Sequence, residues 1–166
     1  MRLPFRTDAS RHRYQGILNG QISVVSLPNG QGTVRVIVGE YAGAKGLAKT
    51  QTPVYVWDLR LGSDQRLDLA VPDGYTTALV ALKGAIRMNG SEAIEAAEVG
   101  LFDRAGETIC IDNANSATAL LLSGEPIDEP IVGRGPFVMD SRGNSPGAGG
   151  LPKRQDHRIV CSKNAR

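Results

Sequence analysis

Residues 54–61, VYVWDLRL, alternate along the chain. Val54, Val56, Asp58 and Arg60 fall on one side of an extended backbone, and Tyr55, Trp57, Leu59 and Leu61 on the other. A period of two predicts a strand with its aromatic and leucine side turned inward. Residues 66–71 alternate again, with Leu67, Leu69 and Val71 together. Further short β-like runs occupy 22–27, 33–38, 77–82, 85–88, 92–95, 99–103 and 107–111. Residues 117–122 are mainly apolar without alternation, which predicts a strand buried on both faces. Turn signals separate these runs: Pro28-Asn29-Gly30, Pro72-Asp73-Gly74, Lys83-Gly84 and Arg104-Ala105-Gly106. Their spacing of roughly 8–12 residues is that of a sandwich or barrel, and no stretch carries a long amphipathic helical period. The expected fold is all-β, a single jelly-roll β-barrel over residues 14–140.

Composition supports a packed core. Of 166 residues, 41% are hydrophobic and 22% charged, and 20 glycines with 9 prolines suit many turns. No apolar run approaches the ~18 residues of a membrane span. Residues 1–14 are basic but lack the apolar stretch of a secretory leader, so a cytoplasmic, non-membrane protein is expected. Aromatic residues make up only 5%, too few for a base-stacking surface.

The formal charge of +2 conceals an asymmetry. Residues 1–13 hold four arginines against Asp8, and 141–166 hold six Lys/Arg against Asp156. Residues 14–140 hold nine Lys/Arg and fifteen Asp/Glu, a net charge of −6. The expected barrel is therefore acidic between basic ends, and nucleic acid is not an expected partner. Residues 143–152 carry four glycines and two prolines, and after them only Ile159-Val160 resembles a strand, so 141–166 is expected to be a disordered basic tail. Of the two cysteines, Cys110 lies in a strand-like run and reads as a small buried hydrophobe, while Cys161 lies in the tail. Reduced thiols are expected, and nothing in the sequence supports a Cys110–Cys161 bridge.

Residues 122–140, LSGEPIDEPIVGRGPFVMD, carry a distinctive signature: Gly124-Glu125-Pro126, then Glu129-Pro130-Ile131-Val132, then Gly135-Pro136-Phe137-Val138-Met139. This run resembles the hallmark of the pirin family. Arg13-Tyr14-Gln15 is similar to that family's interdomain linker, which makes 1–13 a linker remnant expected to be disordered. Residues 33–48, 53–61, 72–90 and 99–107 follow the order and spacing of its second half. The resemblance, over roughly 13–140, implies the C-terminal cupin barrel of a protein built from two. In such proteins the N-terminal barrel holds iron through three histidines and a glutamate, and that half is absent from this sequence.

The residues agree. Where the first cupin metal motif belongs, residues 72–84 read PDGYTTALVALKG, and 106–115 hold no histidine either. The two histidines of the chain are His12 and His157, both outside the expected barrel. No metal ligand, cofactor or catalytic residue is therefore expected, and a histidine-ligated iron is excluded from the barrel. Asp103, Glu107 and Asp112 are conceivable carboxylate ligands, more naturally at strand ends and turns. Trp57, Met88 and Phe102 are candidates to line an apolar interior pocket, and otherwise core. Asp58 and Arg60 share a strand face, as cross-strand ion-pair formers do.

The tail invites one more reading. Synonymous codons exist for 149–158 that, read one base later, give Ala-Asp-Tyr-Gln-Ser-Gly-Lys-Ile-Thr, similar to the end of the family's C-terminal helix. Residues 141–166 are thus expected to be a frameshifted replacement of that helix. The functional expectation is a metal-free C-terminal cupin domain, acting as a structural or interaction module or a non-catalytic fragment, with homodimerisation through exposed barrel surface. The alternative is a subunit or remnant of an iron-dependent quercetin 2,3-dioxygenase of pirin type. A transcriptional co-regulator, the role described for eukaryotic pirins, would depend on the missing iron site.

Overall fold

The computed structural model describes residues 15–64, 66–91 and 93–127, the backbone of three later strands, and Lys163. The alternating runs become strands: β1 (Ser23–Ser26), β2 (Gly32–Val38), β3 (Glu40–Tyr41), β4 (Ala44–Lys45), β5 (Val54–Leu61) and β6 (Leu67–Ala70), followed by β7 (Thr76–Met88), β8 (Ala93–Ile94), β9 (Val99–Phe102) and β10 (Thr108–Gly124). The later strands are β11 (Val132–Arg134), β12 (Phe137–Met139) and β13 (Arg158–Cys161). Among the described residues there are two 3-10 turns and no α-helix. The all-β, cupin jelly-roll expectation holds.

One large sheet runs in the order β1-β2-β5-β10-β7-β9-β13, with β6 added to β10 and β8 to β7. All of its pairings are antiparallel except β9 with β13. Two short hairpins, β3-β4 and β11-β12, stand outside it. The inward side of β5 is Trp57, Leu59 and Leu61, as the alternation predicts. They pack with Val34, Val36, Leu69, Val71, Leu79, Ile86, Met88, Ile109, Ile111 and Leu121 in one core. Burying each large apolar side chain contributes about 1.5–3 kcal/mol, the main favourable term for this sheet core.

Four expectations change. Residues 77–82 and 85–88 are one strand, β7, and 107–111 and 117–122 lie within one 17-residue strand, β10. The two long strands bend together. Gly84 takes φ +74°, and a Cβ there would sit 2.5 Å from the Asn115 carbonyl oxygen. The β7–β10 register shifts on either side of Thr118, next to Ser116 at φ 45°. Such bulges carry a strand round the corner from one layer of a jelly roll to the other. Residues 117–122 are not buried on both faces either. Ala117, Ala119 and Leu121 are buried, while Leu122 is 37% exposed, because β5 and β7 flank β10 in the plane and leave its outer face open.

Cys110 is buried as expected, though it stands apart from the main core cluster that holds Ile109 and Ile111. Last, residues 158–161 of the expected disordered tail form β13. Ile159-Val160 supplies the β-branched run, and the open edge of β9 supplies the partner. Residues 1–14 and 140–157, including both histidines and most of the frameshift reading, lie outside the described residues.

Candidate functional site

Residues 72–84, the stretch that resembles the first cupin metal motif, lead into β7 and carry no histidine. Val71 and Thr77 are buried. The Thr77 hydroxyl lies 2.9 Å from the Ser123 hydroxyl, its cross-strand neighbour in the β7–β10 register. Two hydroxyls that satisfy each other form a neutral, settled pair and not a ligand cluster awaiting a cation. Among the described residues no group of three His, Cys, Asp or Glu side chains is placed to hold a metal ion. Iron, with its preference for imidazole and carboxylate, does not fit this donor set.

The three conceivable carboxylates do not converge. Asp112 accepts hydrogen bonds from the Gly90 amide at 2.6 Å and from the Cys110 thiol at 3.3 Å. Asp103 and Glu107 are exposed. Burial pushes the Cys110 thiol up to about 11, helped by hydrogen bonds to Asp68 and Asp112 and by their charges. A thiol so far above neutrality is a poor nucleophile.

Next to the hydroxyl pair stands an aromatic cluster. Trp57 meets Tyr41 edge-on at 5.0 Å and Tyr55 at 5.8 Å, and Tyr55 meets Tyr75 at 6.1 Å. Burial raises the Tyr41 and Tyr75 phenols, and the Glu125 carboxylate and Tyr55 raise Tyr75 further. Tyr55 also borders two open clefts of about 360 and 370 Å³, which share it and Glu40. Lys45, 3.7 Å from Glu40, borders the first, and Glu107 the second. These clefts offer a phenol, carboxylates and apolar strand backbone to a small polar molecule. They hold no residue paired with a general base in the manner of a nucleophile.

Trp57, Met88 and Phe102 lie in the core cluster at 2%, 0% and 6% exposure, and none lines either cleft. Asp58 and Arg60 form the expected ion pairing: Asp58 takes Arg35 from β2 at 2.7 Å and Arg60 at 3.6 Å. Gly124 ends β10, Glu125 is exposed, and Pro126 follows half-buried. Phe137 and Met139 fall in β12, while Glu129, Pro130, Gly135 and Pro136 lie outside the described residues. Sequence reasoning missed the Glu40–Tyr55–Glu107 edge. Tyr55 reads as core from its alternation, and the two glutamates are far apart in the chain.

Residues 56–145 match the family model of the pirin C-terminal cupin domain. The chain belongs to the pirin family. A Pseudomonas aeruginosa relative, which carries the provisional name quercetin 2,3-dioxygenase, is 42% identical over 140 residues, covering 84% of this chain and 49% of that protein. Pirin of Rattus norvegicus is 31% identical over 114 residues, covering 66% of this chain and 39% of the relative. The crystal structure of a quercetin 2,3-dioxygenase from Acinetobacter baumannii superposes with a TM-score of 0.75 at 39% identity, covering 78% of this chain and 45% of that one. This pirin-type chain therefore spans about half the length or less of these relatives. Among its described residues no helix is long and apolar enough to cross a membrane.

Proposed function

We propose that this pirin-type cupin works without a metal, as a structural or interaction module and not as a catalyst. The observation that carries the reading is that residues 72–84, the stretch resembling a cupin's first metal motif, hold no histidine and place a buried Thr77 hydroxyl against that of Ser123. Hydroxyls that bond to each other, with no imidazole beside them in that stretch, give iron no ligand set. Any quercetin 2,3-dioxygenase activity of the relatives would then require residues this chain does not have. Oxygen uptake tests this: purified chain supplied with Fe(II) and quercetin should consume oxygen no faster than iron and quercetin alone. Protein-dependent uptake would favour the alternative, a working part of an iron-dependent quercetin 2,3-dioxygenase.

As a module it needs a partner, and a second copy of the chain is the one we propose. On the outer face of neighbouring strands, Leu82 of β7 is 56% exposed and Leu122 of β10 is 37% exposed, with Val80 and Leu120 paired between them. A solvent-facing antiparallel sheet ordinarily alternates to polar on that side. Two such flat faces can stack on each other about a two-fold axis. Sedimentation should give a concentration-dependent dimer that Leu82→Lys abolishes, and a monomer at all concentrations would contradict it.

A further inference from the structure

The C-terminal segment enters the fold in two steps. β13 adds to the edge of β9 in parallel register, Arg158 opposite Val99 through Cys161 opposite Phe102. Two residues further on, Lys163 is only 6% exposed. Its ammonium donates to the Tyr75 carbonyl at 2.8 Å and to the Arg104 carbonyl at 3.4 Å. Those carbonyls belong to two turns tied to one another: the Gly74 amide donates to Arg104 O at 2.9 Å, and the Gly106 amide to an Asp73 carboxylate oxygen at 2.7 Å. Asp73 also favours the charged form of Lys163, against the burial that lowers its pKa.

The cradle is shaped for this backbone as well as for the ammonium. Gly106 stands at φ +101°, and a Cβ there would lie 2.7 Å from Lys163 Cβ and 2.9 Å from its carbonyl oxygen. Any side chain at 106 would close the seat. A strand edge that supplies main-chain pairing, beside a pocket that reads one side chain, is the arrangement by which folded domains recognise extended peptides.

We propose that the β9 edge and the turns at 72–75 and 104–106 form a peptide-binding site. It accepts an extended segment with a lysine two residues beyond its strand, and β13 together with Lys163 occupies it from within the chain as a displaceable strap. Displacement is feasible because β13 is short, sits at the sheet edge and has β9 as its one strand partner among the described residues. Specificity comes from the ammonium, since a segment without it would leave the two carbonyls and Asp73 without their cation. The proposal does not depend on the metal-free reading, because none of its residues lies at the hydroxyl pair.

The test uses the whole 166-residue chain with Val160→Pro, which breaks the strap and leaves the acceptor intact. A fluorescein-labelled peptide of residues 158–163, kept reduced, should bind this variant at least about tenfold more tightly than the unaltered chain, whose site is filled. The same peptide with its lysine changed to methionine should bind at least about tenfold more weakly, the effect of one charged hydrogen-bonded group. A folded Val160→Pro chain that ignores the peptide, or that binds the lysine-free peptide equally well, overturns the proposal. If Val160→Pro does not fold, Lys163→Met in the full chain gives the second reading. Amide exchange at Val99–Phe102 should accelerate while the β2–β5 amides stay protected, and unchanged exchange along β9 would reject the strap.

Discussion

The hydroxyls of Thr77 and Ser123 meet 2.9 Å apart across β7 and β10, sealed from solvent at 0% and 3% exposure. Each is the other's close side-chain partner, so the pair should behave as a unit. Thr77→Val should cost about 1–3 kcal/mol by stranding the Ser123 hydroxyl, whereas Thr77→Val with Ser123→Ala should cost less than the sum of the single changes. Urea denaturation of the two single variants and the double variant measures this. Additive losses would mean that the two hydroxyls do not depend on each other.

Gly84 carries the bend that lets β7 and β10 pass between layers. Its φ of +74° and the 2.5 Å approach of the Asn115 carbonyl oxygen to a built Cβ leave no room for alanine. Gly84→Ala should destabilise the chain by more than the ~1–2 kcal/mol of a left-handed non-glycine residue alone, because the strand partner must also move. Gly74 has φ +80° with nothing within 4 Å of a built Cβ, so Gly74→Ala should show the backbone cost without the clash. The difference between their melting temperatures isolates the close approach.

Much of this was legible in the sequence. The alternation of VYVWDLRL placed Trp57, Leu59 and Leu61 inward, and Asp58 with Arg60 outward, as the structure has them. Local periodicity reports which way a side chain faces, and little more. Residues 112–116 lie between the two expected runs 107–111 and 117–122, yet Asn113, Asn115 and Ser116 are outward positions on the bent middle of β10. Trp57, Met88 and Phe102 could be recognised as interior but not as lying away from the clefts, since that depends on how strands pack. The seat of Lys163 was illegible for a related reason. Its two carbonyl partners are 88 and 59 residues away in the chain and are backbone atoms, which carry no residue-type signal.

Cys110 gives a pH-dependent prediction. Its thiol is held at about 11, above the ordinary value of 9.0 that it regains on unfolding. Between those values the unfolded chain has lost the proton and the folded chain keeps it, so stability contributed by the neutral thiol is full below pH 9 and falls as pH rises towards 11. In a Cys161→Ser background, Cys110 should resist a thiol reagent at pH 8 while folded and react on denaturation. The Cys110→Ala variant should lose less stability between pH 9 and 11. Rapid modification of the folded protein at pH 8 would contradict the assigned environment.

Iron binding tests most directly what the cupin interior can hold. The chain, incubated anaerobically with one equivalent of Fe(II) and passed through a desalting column, should emerge with iron far below one atom per chain. It should melt at the same temperature as before, because a ligand that does not bind the folded state cannot stabilise it. One tightly held iron per chain, with a raised melting temperature, would contradict the metal-free reading.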